Sequence, residues 1–320
     1  MSVADRRPRA WGTRRAVVIG GSLVGGSAAI MLHRAGWDVT VLERSSRDST
    51  AEGSGIGVDR RLLARLIGGD ARSLPALQRS FEQTTWSLVH DFVMERLRAT
   101  PAIHLRRGSR VKRVDPAGFV TLEVASGSEA QTADLVVGAD GYASTARAAV
   151  APEHPDARYA GYLMWRGLIE EHQLVTGFSD SDLDFAERRV HGARLVTFGV
   201  PGAAGEVEPG ARRASFSWFD PTATAMLRHL APLRDHVTTA TLRGTDVPDG
   251  VLRELIEATR HWPRPWGPAI RARLSERRFI GTPISEYLPD RLTRGRIALI
   301  GDAAQAGRPD PTAPRQSFEA

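Results

Sequence analysis

The chain has no cysteine. That excludes disulfide bonds, thiolate metal ligands and a cysteine nucleophile, and it fits a reducing cytoplasm. Of 43 basic residues a single one, Lys112, is lysine, and no phosphate-binding loop is built around it. No apolar run approaches the roughly 18 residues of a membrane-crossing helix, and there is no Gly-x-Ser-x-Gly elbow. Membrane-spanning, kinase and hydrolase readings therefore have nothing to stand on. The nine histidines show no pairing with acids at ligand spacing, and His229 and His236 read as surface residues, so no metal is expected. The arginines are interspersed with 37 acidic residues and leave a net charge of +6 without a basic stripe, which argues against a nucleic-acid partner.

What is present is the composition of a globular protein, 42% hydrophobic and 25% charged over 320 residues, enough for one large or two ordinary domains. Residues 1–14 read as a disordered basic leader, because the apolar run after them is broken by Gly20, Gly21, Gly25 and Gly26 and cannot serve as an export signal.

The most informative stretch is RRAVVIGGSLVGGSAAIMLHRAGWDVTVLER at 14–44. It reads as strand, glycine turn, helix and second strand closed by an acid, the pattern of a dinucleotide-binding unit. Gly20 lets the chain turn off the strand, Ser22 stands where the pattern has a second glycine, and Gly25 lets the helix pack close to the sheet. Amide groups at the helix start then face phosphates. Glu43 ends the second strand where a carboxylate can take hydrogen bonds from a ribose.

Beyond Glu43, alternating Gly53, Gly55 and Gly57 suit close approach to a ligand. A helix is expected near Arg60–Ile67 and another over Thr84–Leu97, with Trp86, Val89, Val93 and Leu97 on one face. Ile103–Leu105, Val111–Val114 and Phe119–Val124 read as a short meander. A buried strand, Leu135–Val137, runs into Gly138, Asp140 and Gly141 at its carboxyl end, and a second return strand, Arg296–Ile300, runs into Gly301 and Asp302. Between them Tyr159–Ile169, Arg194–Val200 and Ala214–Phe219 alternate, with helical stretches at Thr222–Leu230 and Val251–Arg260. The fold class is therefore α/β. A three-layer Rossmann-like nucleotide domain (15–156 and 279–320) is interrupted by an α+β antiparallel-sheet domain (157–278).

GGSLVG with Glu43 and Arg44, GSGIG at 53–57, GADGYASTAR at 138–147 and GRIALIGDAA at 295–304, in this order, resemble the single-component FAD-dependent aromatic hydroxylases. YAGYLMWRG at 159–167, VPG at 200–202 and FSWF at 216–219 resemble the dihydroxypyridine hydroxylase branch most. The resemblance implies FAD as cofactor, NADPH or NADH as co-substrate, and dioxygen with a small phenolic or hydroxypyridine ring as partners. It also leaves a homodimer open. By position it assigns FAD to Gly20, Gly21, Ser22, Leu23, Gly25, Glu43, Arg44, Gly55, Ile56, Val111, Asp140, Gly141, Gly301, Asp302 and Ala303. The substrate wall would come from Trp165, Arg166, Phe198 and Trp218, and no catalytic base is identified.

Two departures from the family pattern shape the expectation. After Ala304, Pro314 and Arg315 stand where the family has glycines opening a helix toward the flavin, and the sequence ends at Ala320. The link from Ile67 to Thr84 is short, so a wall of the active site is expected to be missing. The pattern predicts weaker FAD retention and looser coupling of nicotinamide oxidation to hydroxylation. It keeps open a non-catalytic flavin- or ligand-binding protein and a flavin oxidase or reductase on the same fold.

Overall fold

The computed structural model describes residues 14–46, 54–174, 178–230, 237 and 241–307. The basic leader up to residue 13, Gly53, His236 and the segment with Pro309, Pro314, Arg315 and Ala320 lie outside the described residues. So does the side chain of His229.

Apolar β-branched residues make β1 (Arg15–Ile19) a strand buried on both faces. It leads through α1 (Leu23–Arg34) to β2 (Asp38–Glu43), which pairs parallel to β1. Next come β3 (Gly55–Gly57), α2 (Arg60–Ile67), β4 (Leu77–Gln78) and β5 (Glu82–Thr85), the three strands forming a small sheet in the order β3–β5–β4. The short link thus builds strands of its own. From it Phe81 packs edge-on against Phe198 at 5.5 Å between ring centroids.

Thr85 ends β5 and caps α3 (Trp86–Arg98), its hydroxyl accepting the Leu88 N–H at 3.3 Å, so the helix starts two residues later than Thr84. Ile103–Arg107 is not part of a meander. As β6 it pairs parallel to β2, with Ile103 opposite Val39. The meander itself is β7 (Arg110–Val114), β8 (Phe119–Val124) and β9 (Gly127–Thr132), followed by β10 (Leu135–Gly138) and α4 (Thr145–Val150).

The second unit begins with β11 (Arg158–Glu170), β12 (Ala186–Val190), β13 (Ala193–Val200) and β14 (Arg213–Asp220). It continues through α5 (Thr224–Leu230), β15 (Leu242–Arg243), α6 (Asp249–Ala258), α7 (Trp266–Ser275) and β16 (Ile280–Glu286). Its antiparallel sheet has the order β12–β13–β14–β11–β16–β15. Because β16 pairs with β11, the chain leaves this unit after Glu286, later than the boundary expected at 279. It rejoins the first sheet through β17 (Thr293–Arg294) and β18 (Ile297–Leu299), giving the order β17–β18–β10–β1–β2–β6.

Three layers follow from the burial pattern. Ala16, Val18, Val39 and Val41 pack against α1 and α3, while Val17, Ile19, Leu42 and Val136 pack against the meander and α4. In the antiparallel unit one face buries Trp165, Phe216, Trp218, Trp262, Trp266 and Ile270 beneath α6 and α7.

At the edge of that unit the buried Glu171 carboxylate accepts two hydrogen bonds from the Arg212 guanidinium, at 2.6 and 2.9 Å. Arg212 holds the Glu171 carboxyl below its ordinary range. The contribution is therefore complete above the ordinary carboxylate pKa and fades as pH falls through the depressed folded value. Glu171→Gln is expected to lower the unfolding free energy at neutral pH by roughly 3 kcal/mol, the cost of stripping a buried cation of its main partner. Urea unfolding of both proteins checks this. The gap should close in acid, and one that stays constant with pH would contradict the assignment.

Candidate functional site

The turns after β1, β10 and β18 meet at one rim of the parallel sheet. Gly20 has φ +96, and a Cβ placed on it would lie 2.4 Å from the Ala139 carbonyl oxygen. A Cβ on Gly25 would lie 1.9 Å from the Gly20 carbonyl oxygen, and one on Gly301 3.3 Å from Val24. Only glycine permits this convergence. Helix α1 opens beside it with Ser22 at its cap, no acid in its first turn and no side-chain hydrogen bond to its own amides. A helix start left open in this way attracts anions. Leu23 anchors it in the core.

At the end of β2, Glu43 accepts the Gly21 N–H at 2.9 Å and the Ser45 N–H at 2.7 Å, one on each oxygen. The carboxylate is thus held beside the first turn with lone pairs to spare. Arg44 is exposed just beyond it. The Ser109 N–H donates to the Glu43 carbonyl at 2.9 Å, which brings the start of β7, with buried Val111, to the same end of the sheet. The glycine cradle, the open amides and the fixed acid suit the pyrophosphate and ribose of a dinucleotide.

The two aspartates differ. Asp140 Oδ1 accepts the Ser144 hydroxyl at 2.5 Å, and Oδ2 accepts the Thr145 and Ala146 amides at 2.7 and 3.2 Å. It therefore fixes the start of α4, with Gly141 turning at φ +80 beside it. Burial pushes the Asp140 carboxyl up while these donors pull it down. The carboxylate of Asp302 takes no hydrogen bond from any described residue. Its side chain is exposed, and the desolvation imposed by neighbouring protein atoms pushes its pKa up against the pull of Arg147. Asp302 is the acid left available for a hydroxyl-rich ligand.

Arg147, whose role the sequence does not announce, ties the loops together. Fully buried, it donates from Nε to Ala303 O at 2.9 Å, from Nη1 to Tyr142 O at 2.7 Å and from Nη2 to Asp302 O at 2.6 Å. Its guanidinium also lies 4.0 Å from the centre of the Tyr287 ring.

Above the rim lies the antiparallel sheet, joined to it by β3. The Gly55 N–H donates to the Ser215 hydroxyl at 3.0 Å, and Arg166 Nη1 donates to the Ser54 hydroxyl at 2.9 Å. Ile56 next to Gly55 is half-buried against the core of the first unit. Neighbours on a strand point to opposite faces, so Trp165 and Arg166 cannot line one wall. Trp165 and its cross-strand partner Trp218 face α6 and α7, the Trp165 indole donating to Asp220 at 3.1 Å. Both are core, which corrects the expectation that they line a pocket. Phe198, with Met164, Leu168, Val196, Phe219 and Ile284, belongs to the cluster on the opposite face. Arg166 follows the same alternation.

Among the described residues no helix is long and apolar enough to cross a membrane, and no three metal-ligating side chains cluster.

Residues 159–261 match the family model described as "FAD binding domain-like". The chain is 27% identical to the 2,6-dihydroxypyridine 3-monooxygenase of Paenarthrobacter nicotinovorans, covering 93% of this chain and 78% of that protein. It is 29% identical to the FAD-dependent urate hydroxylase of Klebsiella pneumoniae, covering 92% and 76%. In sequence the chain is therefore similar to monooxygenases and FAD-dependent hydroxylases. The solved structure of the 2,6-dihydroxypyridine-3-hydroxylase from Arthrobacter nicotinovorans superposes on this chain with a TM-score of 0.78 at 22% identity, over 96% of this chain and 82% of that one. This likeness establishes the fold.

Proposed function

We propose that this chain is an FAD-dependent monooxygenase that uses NADPH or NADH and dioxygen to hydroxylate a small phenolic or hydroxypyridine-type ring. The observation that carries this reading is the meeting of three glycine turns, two ligand-available acids and an open helix start at one sheet rim, beneath a mostly apolar sheet face. The pyrophosphate would meet the amides from Ser22 to Gly25, the adenosine ribose Glu43, and the ribityl chain Asp302 with Gly301 and Ala303. Gly55 and Ile56 would border the flavin ring. Bound FAD supplies electron transfer from the nicotinamide and the activation of dioxygen. The chain's own part is to bind and exclude: Met164, Leu168, Phe198 and Phe219 present apolar surface that keeps water from the ring. The names of the two relatives favour a hydroxylated nitrogen heterocycle as the substrate.

The test is NAD(P)H oxidation across a panel of phenols and hydroxypyridines under labelled dioxygen. The reading expects substrate-stimulated oxidation and one labelled oxygen atom in the product. Turnover that yields unlabelled product would assign an oxidase or reductase instead.

Glu43→Gln is expected to weaken FAD binding about tenfold, through loss of charge-assisted hydrogen bonds to the ribose. Flavin-fluorescence titration measures it, and unchanged affinity would remove Glu43 from the ribose role.

A further inference from the structure

An open cleft of about 530 Å³, a size that suits a small molecule, lies between β4 and the segment that leads into β14. None of its lining residues belongs to the rim of the parallel sheet. Two arginines face it, Arg79 from the turn after β4 and Arg212 just before β14, with side chains only 14% and 6% exposed. The single turn Asp180–Leu183 sets one carboxylate across both. Asp180 Oδ1 accepts from Arg212 Nη2 at 2.8 Å, and Oδ2 accepts from Arg79 Nη2 at 2.6 Å.

The remaining donors divide unevenly. Arg79 Nη1 donates to Asp184 at 2.9 Å and to the Asp180 carbonyl at 3.1 Å, while Arg212 donates from Nε and Nη2 to Glu171. A guanidinium has five N–H groups. Arg212 Nη1 and Arg79 Nε are therefore left over, and neither donates to a described residue. Since one carboxylate already spans the two guanidiniums, they stand close enough to share a second small oxyanion.

A simple anion is nevertheless the wrong occupant. Hydrogen bonds from Arg79 and Arg212 hold the Asp180 carboxyl below its ordinary range, so it is charged at neutral pH. Glu171, Asp180 and Asp184 then outweigh the two arginines by one negative charge. Asp184 Oδ2 takes no hydrogen bond from a described residue, and its side chain is half-exposed, which leaves an acceptor for a cationic group. Ala76, Leu77 and the exposed Val207 add an apolar wall.

We propose that this cleft is a second binding site, for a small aliphatic amino carboxylate held as its zwitterion. The carboxylate takes the free donors of Arg212 and Arg79, the ammonium meets Asp184 and Asp180, and the aliphatic part lies on Ala76, Leu77 and Val207. Such a ligand leaves the net charge of the cluster unchanged. It also joins the turn after β4 to the antiparallel unit, because Arg79 belongs to the first and Arg212 to the second. The site shares no residue with the rim, so its failure would leave the hydroxylase reading standing.

The experiment is isothermal titration calorimetry on the full chain with excess FAD present, using wild type, Asp184→Asn and Arg79→Gln. The probes are L-leucine, 4-methylpentanoic acid, which lacks the amine, and 3-methylbutylamine, which lacks the carboxylate. Leucine is expected to bind saturably, one per chain, and about tenfold or more tighter than either singly charged analogue. Asp184→Asn is expected to weaken leucine and the amine about 5- to 20-fold and spare the acid; Arg79→Gln is expected to weaken leucine and the acid and spare the amine. No saturable binding of leucine up to about 20 mM would overturn the proposal. Leucine no tighter than its analogues, or variants that bind all three probes as wild type does, would overturn it equally. Should Arg79→Gln fail to fold, the half-exposed Asp184 decides: selective weakening of the two amines in Asp184→Asn supports the site, and its absence overturns it.

Discussion

Gly25→Ala will give a protein that no longer retains FAD and unfolds well below the wild-type temperature. The added Cβ would sit 1.9 Å from the Gly20 carbonyl oxygen and 3.0 Å from its carbon, so the obstacle is backbone and no rotamer relieves it. Helix α1 would have to lift off β1, carrying the amides of Ser22 and Leu23 away from the rim. Overpacking a core typically costs about 1–3 kcal/mol, and a clash with backbone belongs at or above the top of that range. Gly36→Ala is the control. Gly36 has φ +85 with nothing within 4 Å of the added atom, so only backbone strain of about 1–2 kcal/mol is expected, with FAD retained. Flavin absorbance per chain and thermal unfolding report both effects. A Gly25→Ala protein with full flavin and an unchanged melting temperature would contradict the packing described here.

Arg147→Met will cost more than the loss of any exposed arginine. It strips the donors from the carbonyls of Tyr142, Asp302 and Ala303 in a buried setting. An unsatisfied buried carbonyl costs about 1–3 kcal/mol, and with partial relaxation a total of about 4 kcal/mol is expected. FAD affinity should fall with it, because the loop that carries Asp302 loses its tether to the loop that carries Tyr142. Arg147→Lys should recover only part, since one ammonium cannot serve three separated acceptors in a fixed fork. Replacing Arg72, whose side chain is 90% exposed, should change stability by less than about 0.5 kcal/mol. Urea unfolding and FAD titration separate the cases, and an Arg147→Met protein as stable as the Arg72 control would remove the tether from the account.

How much of this was legible in the sequence depends on the range of the interaction. The β1–α1–β2 unit is written locally: apolar strand, glycine turn, apolar helix, acid. α2 and the long strands β11, β13 and β14 are equally plain in their periodicity. What reaches across the chain is harder. The Arg147 tether spans 155 and 156 residues to carbonyls that no side-chain pattern marks. β16 looks like the approach to the return strand until its pairing with β11 is known. Helix α7 begins Trp266, Gly267, Pro268, which resembles a loop, yet proline in a first turn costs no internal hydrogen bond.

The pocket residues show the same division. Trp165 and Trp218 draw attention by size, but strand alternation alone separates Trp165 from Arg166. Which face meets the helices is fixed only when α6 and α7 are placed. Ser54 and Tyr142 are unremarkable in sequence and acquire meaning from what they surround. The expectation built on Pro314 and Arg315 concerns residues outside those described.

Everything functional follows from an FAD lying along the rim where the turns of Gly20, Asp140 and Asp302 meet. Titrating the purified chain and its Gly25→Ala variant with FAD, following flavin absorbance and fluorescence, puts that to the test. Saturable uptake of one FAD per wild-type chain, lost in the variant, is the predicted result. A wild-type chain that stays colourless in excess FAD, or a variant that binds it equally well, would contradict it.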